Sequence, residues 1–267
     1  GSEMCIRDSI YNMKVKISTN NENFKVDFNR PIDLSLTSKV KNSFKAWYVD
    51  EIKINTIKSE GFIGSVKEGG SVNFRELLIN PHGNMTHTES VGHISLDNIY
   101  VNEILQSFHF ISQVITVVPK KEFIIDENGG KETDLVIDVD QIKNKILPKM
   151  EAVILRTQNN FEELAYKTYH NTNWPYLKEE TAYYLRNIGV QHLLIDQPSI
   201  DKEFDQGKLL AHKAFWNYPN EIDQKETVTE LIGIPDKVKD GKYLLNISLA
   251  NIENDASPSR PIIYEIF

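Results

Sequence analysis

The sequence predicts a single α/β or α+β domain, and three observations point there. Strand-like runs dominate the first half of the chain. Helical periodicity enters only in the second half, interleaved with further strands. No internal repeat, low-complexity tract or interdomain linker divides the 267 residues.

Taken in order, alternating or apolar runs predict strands at Lys14–Ile17, Ile32–Leu36, Ala46–Ile54, Gly61–Val66 and Ile111–Val118. Further runs follow at Ala152–Thr157, His192–Ile195 and Tyr243–Leu249, with Ile262–Phe267 as a last short strand. Helices are expected at three places. Asp140–Leu147 is stopped by Pro148, and a second helix lies around Phe161–Tyr169. The third, over 177–188, sets Leu177, Thr181, Tyr184, Leu185 and Ile188 on one face. Its first turn carries Glu179 and Glu180, where acids complement the helix dipole.

Residues 1–12 read as a tag or cloning-derived segment. Gly1-Ser2 resembles a protease-cleavage scar, and Met13-Lys14-Val15-Lys16-Ile17 reads as a more natural start of a 13–267 domain. No signal peptide follows Met4 or Met13, so the expected compartment is the cytoplasm. A net charge of −8 argues against nucleic-acid or anionic-membrane partners. No apolar run approaches a transmembrane length. Cys5 is the only cysteine, which excludes disulfides, Fe–S clusters and thiolate catalysis from the core, so any metal must be held by N and O ligands.

The window 82–93, HGNMTHTESVGH, holds three of the seven histidines and one acid as H-x4-H-x-E-x3-H. Imidazole and carboxylate are the ligands Zn²⁺, Mn²⁺ and Fe²⁺ take when no thiolate is offered. The cluster therefore points to a metal site and to hydrolytic chemistry. In an extended segment His87 and Glu89 face the same way and can grip one ion together. His82, an odd number of residues earlier, would face away in a straight strand. The turn dipeptide Gly83-Asn84 can break that register, and Gly92 gives similar freedom before His93. Downstream, His212 lies in an apolar stretch that by itself suggests a structural role. Glu230 is flanked by Val228, Leu231 and Ile232, where an unpaired acid would cost several kcal/mol. A metal would supply the cation it needs.

With these blocks in view, the chain resembles the cyclase family of metal-dependent hydrolases, which includes kynurenine formamidase and isatin hydrolase. Thr86-His87-Thr88-Glu89…His93 looks like the second half of that family's H-x-G-T-H-x-D-x-P-x-H signature. Residues 189–201, GVQHLLIDQPSID, resemble its "GV…GIDTPSID" strand, and Thr229-Glu230-Leu231 resembles its "LE-L" segment. Ile32-Asp33-Leu34-Ser35 and Ser257-Pro258-Ser259-Arg260 resemble its opening and closing blocks. The likeness runs in order from about Arg30 onward.

The resemblance implies a swivelling β/β/α-type domain, a mixed sheet with flanking helices, assembled as a homodimer or larger. It implies one or two divalent ions, zinc or manganese. By position, His82, His87, Glu89, His212 and Glu230 match metal ligands, and His93 matches the proton-transfer histidine. His82 stands one residue too far from His87, and Glu89 replaces the family's Asp, which leaves the number of ions open.

The expected activity is hydrolysis of an amide-type C–N bond in a small molecule by a metal-activated water, as in an arylformamidase. Two alternatives stand beside it: a cyclic amide or lactone hydrolase, and a non-catalytic metal- or small-molecule-binding homologue. Asp196 and Ser199 lack a nearby histidine to complete a triad and read as a structural turn. His192 reads as core, while His109 and His170 carry no motif. No glycine-rich phosphate loop is present, which speaks against nucleotide chemistry.

Overall fold

Two apolar runs set the architecture. Every residue of Ala152–Arg156 and of His192–Ile195 is buried, as expected of strands covered on both faces of a parallel sheet. Both belong to one nine-stranded sheet in the computed structural model, which describes residues 13–18, 22–125, 131–157, 160–220 and 225–267. In chain order its strands are β1 (Ile32–Asp33), β2 (His87–Glu89), β3 (His109–Thr116), β4 (Ala152–Arg156), β5 (His192–Ile195), β6 (Thr227–Glu230), β7 (Gly241–Asn246), β8 (Ala256–Pro258) and β9 (Ile262–Glu265).

The spatial order is β8-β2-β6-β5-β4-β3-β7-β9-β1. The inner strands β6, β5, β4 and β3 run parallel, and antiparallel strands flank them on both sides. Alternation along the inner strands feeds two core layers. Val153, Leu155, Leu193 and Ile195 enter one, whereas Ala152, Ile154 and Leu194 enter the other. The first layer is covered by helices α1 (Glu179–Asn187) and α2 (Leu210–Trp216), which pack on each other. Helix α1 buries Thr181, Ala182 and Leu185, and Gly189 takes φ 90° just beyond its end, the left-handed conformation glycine supplies there.

The mixed sheet with flanking helices is as expected, and so are most strands. Three expectations need correction. The run Ala46–Ile54 is mostly loop, because Trp47 and Tyr48 take φ 54° and 58° while the Ala46 N–H bonds the Gly83 carbonyl. Pairing resumes only at Lys53–Thr56, against Arg75–Leu78. The helix expected over Asp140–Leu147 is a single turn, Val139–Ile142, opened by a capping box of Asp138 and Gln141. There the Gln113 side chain takes the Leu147 N–H and donates to the Lys145 carbonyl, which satisfies this backbone without further helix. Phe161–Tyr169 likewise narrows to one turn, Phe161–Leu164. A hairpin, Lys120–Ile125 with Lys131–Ile137, was not anticipated. Residues 1–12, read as a tag, lie outside the described residues. Among the described residues no helix is long and apolar enough to cross a membrane.

Candidate metal centre

Strand β2 lies between β6 and β8, and its register places the acids. Glu230 stands opposite His87, and Val228 opposite Glu89. His87 and Glu89, two residues apart, face one side together, as period two requires. Thr88 faces the other side, where its hydroxyl meets Thr229 Oγ1 at 2.8 Å.

His82 arrives on a separate element, the one-turn helix Pro81–Asn84. Pro81 opens it, and the Asn80 side chain caps it by accepting the Gly83 N–H at 2.9 Å. This turn absorbs the odd residue in the spacing and brings the His82 ring to 4.8 Å from that of His87. His93 sits on the 3₁₀ turn Val91–His93, capped by Ser90. His212 comes from α2. That helix has no side-chain cap of its own, and Asp201 supplies one by accepting the Ala211 and His212 N–H groups at 2.7 and 3.1 Å.

All six residues singled out in the sequence converge. Glu89 is the hub, with Oε2 3.1 Å from His82 Nδ1 and 3.9 Å from His87 Nε2, and Oε1 2.8 Å from His212 Nε2. Glu230 lies 3.5 Å from His87 Nε2 and 3.6 Å from His212 Nε2. It also accepts the Ile200 N–H at 2.8 Å. Two acids were missed. Asp201 meets His212 Nδ1 at 2.6 Å, and Asp255 meets both His82 and His93. Asp201 closes the 189–201 block and lies on the same segment as the motif. Asp255 has no comparable signal.

The electrostatics is that of acids and imidazoles crowded out of water. Burial, reinforced by the charge of Glu89, pushes Glu230 up to about 8. Burial would raise Glu89 too, but His93, His212 and His82 outweigh it and hold that carboxyl well below the usual range. Burial pushes His87 down to about 3, helped by the charge of His82. His82 goes the other way. Burial opposes its charge, yet Asp255 and Glu89 together raise it to about 10. His212 is likewise raised against its burial by Asp201 and Glu89.

The donor set suits a divalent cation. His87 Nδ1 faces the Met85 carbonyl at 3.1 Å, so that nitrogen carries the proton and Nε2 is a bare lone pair. His87 Nε2 is buried with no hydrogen-bond partner, 3.9 Å from Glu89 Oε2 and 3.5 Å from Glu230. Leaving such an atom unsatisfied costs about 1–3 kcal/mol, and a cation removes that cost. Two overlapping triads offer suitable atoms, His87/Glu89/Glu230 and His82/Glu89/His93, each with ligand atoms within 4.8 Å of one another.

Comparison with known proteins identifies the family. The Cyclase family model matches residues 32–202, and the chain belongs to that family. It is 25% identical over 240 residues to a kynurenine formamidase of Bacillus anthracis, covering 87% of this chain and 97% of the relative. A kynurenine formamidase of Bacillus mycoides (strain KBAB4) is 26% identical over 209 residues, covering 76% and 85%. Among solved structures, an isatin hydrolase bound to the product analogue thioisatinate superposes with TM-score 0.65 at 14% identity, over 88% of this chain and 92% of that one. A predicted metal-dependent hydrolase from Bacillus stearothermophilus gives 0.63 at 16% identity, over 88% and 98%. The two structures share the fold.

Proposed function

We propose that the protein is a metal-dependent hydrolase of an amide-type C–N bond in a small molecule, similar to an arylformamidase. The observation that carries this is the buried triad His87/Glu89/Glu230, with His87 Nε2 left without a hydrogen-bond partner. The kynurenine formamidase relatives support the choice of bond. His87, Glu89, Glu230, His212 and His82 would hold one or two ions, zinc or manganese. When bound, such an ion supplies Lewis acidity toward a carbonyl and lowers the pKa of water toward neutrality.

The chain's own residues do the rest. The carboxylates of Glu89 and Glu230 would neutralise the charge of an ion held between them. Asp201 and the Met85 carbonyl fix the outer nitrogens of His212 and His87, which sets the direction of the inner ones. Hydrolysis adds water to the carbonyl carbon and breaks the C–N bond, and the departing nitrogen needs one proton. In this reading His93 carries it. Its side chain is 31% exposed, against 22% for His82 and at most 1% for His87 and His212. It can therefore exchange protons with solvent while remaining beside the acids.

Metal analysis together with a substrate panel tests the reading. The purified protein should hold near-stoichiometric zinc or manganese and cleave N-formylkynurenine faster than isatin or simple aryl esters. Preference for isatin would move the assignment to cyclic amides. Stoichiometric metal without turnover would make the protein a binding homologue. Metal at background level would end the hydrolase reading. The reading extends to a homodimer, which light scattering at micromolar concentration would refute by finding only a 30.7 kDa species.

A further inference from the structure

Each candidate ligand histidine turns one ring nitrogen toward the acids and has the other held from behind. For His87 the holder is the Met85 carbonyl, and for His212 it is Asp201. For His82 it is Asp255, whose Oδ2 stands 3.0 Å from Nε2. The same oxygen stands 3.1 Å from His93 Nδ1, so one atom meets two rings whose centroids are 4.3 Å apart. The backbone leaves Asp255 little freedom. Ala256 pairs with Glu89 across β8 and β2, and the Asp255 carbonyl accepts the Ser90 N–H at 3.0 Å. On its other side the Asn254 carbonyl accepts the Val101 N–H at 2.9 Å.

Resting on the function proposed above, we propose that Asp255 is a positioning residue that assigns His82 and His93 to different tasks. An ionised carboxylate only accepts, so both nitrogens facing it carry protons. For His82 the other nitrogen, Nδ1, faces Glu89 Oε2 at 3.1 Å, and it is the one that an ion bound by Glu89 would take in place of its proton. For His93 the outcome is the reverse. Its Nδ1 lies 3.8 Å from Glu89 Oε2, as near as His87 Nε2 at 3.9 Å, and on distance alone it would serve equally well as a ligand. Asp255 occupies that nitrogen. Only Nε2 remains to accept or release a proton, and His93 is withheld from the ion.

The test reads the tautomer directly, by long-range ¹H–¹⁵N spectra of the histidine rings in protein whose paramagnetic ions have been exchanged for zinc. His93 should be protonated at Nδ1 and bare at Nε2. Asp255→Ala should abolish that preference, whereas Asp255→Asn, which keeps an acceptor oxygen, should retain most of it. Unmoved His87 and His212 signals would show that the variants are folded. With the best substrate of the panel, Asp255→Ala should lower kcat about 10–100-fold with KM within about twofold, and Asp255→Asn should recover part of the loss. A His93 protonated at Nε2 in the unmodified protein, or a His93 spectrum unchanged by Asp255→Ala, would overturn the proposal. The expected spectra with no turnover of any substrate by the unmodified protein would uphold the positioning role and sink the hydrolase reading instead.

Discussion

Glu230→Gln separates what this acid costs the fold from what it does for an ion. Glu230 ionises near 4.5 in an ordinary setting and is pushed up to about 8 in the metal-free fold. Between those values the folded state holds more protons than the unfolded one, so stability falls as pH rises through that window and is recovered below it. At about 1.4 kcal/mol per pH unit above 4.5, the cost at pH 7 is on the order of 3 kcal/mol. Gln is neutral, nearly the same shape, and keeps an oxygen for the Ile200 N–H, now accepted at 2.8 Å. Stripped of metal, the variant should therefore be more stable than the parent at pH 7, by roughly 2–3 kcal/mol, and nearly equal to it at pH 4.5. Metal reverses the order. An ion at a thousand times its Kd adds about 4 kcal/mol to the parent, whereas the variant has lost a charged ligand. Urea denaturation followed by circular dichroism, in EDTA and in zinc, reads both halves. A variant less stable than the parent in EDTA, or one stabilised by zinc as much as the parent, would refute the argument.

Other predictions concern the remaining residues. His87→Ala should lose metal and activity together, while His93→Ala should keep the metal and lose roughly 10²–10⁴-fold in kcat; metal analysis beside kinetics would expose the opposite pattern as a misassigned loop. His82→Ala that retains half the metal would indicate two ions, and unchanged metal content a single one. His192 is neutral because burial pushes it down to about 4, so stability should be lost as pH falls from about 6.5 toward 4, by up to about 3 kcal/mol. Urea midpoints at pH 5 and 7.5 should show that slope flattened in His192→Gln. A methyl group at Gly92 would meet the Ile99 carbonyl oxygen at 2.0 Å, so Gly92→Ala should cost about 1–3 kcal/mol and lower kcat by shifting His93, both measurable on one preparation.

The inner strands were legible because burial on both faces leaves a continuous apolar run, and the run His192–Ile195 coincides with β5. The metal loop was legible because several donors fall within twelve residues of one another. His82 shows where spacing misleads: counted along a strand it points away, yet the turn at Pro81–Asn84 returns it to the cluster. Trp47 and Tyr48 have the composition of a strand, but the bond from Ala46 to Gly83 holds them in left-handed conformations that no local propensity favours. Asp255 was invisible for a different reason. Its role depends on β8 pairing with β2, a contact between distant segments, and nothing in its neighbours along the chain records that partner.

The pairing of β2 also has a consequence for how the protein is made. Both neighbours of β2, β6 and β8, lie far downstream in the chain, and Asp255 follows His82 by 173 residues. At about 5–20 residues per second, a ribosome that has just produced the histidine loop needs roughly 10 to 35 seconds more to reach Asp255. Until His212, Glu230 and finally Asp255 emerge in turn, the loop lacks the complete set of groups around it. It can take up whatever cation is most abundant, in an order set by intrinsic affinity and not by the finished cage. The set of groups around the loop is complete only once the late strands close over it, so protein produced under different metal supplies should converge on the same ion once it is unfolded and refolded in a common buffer.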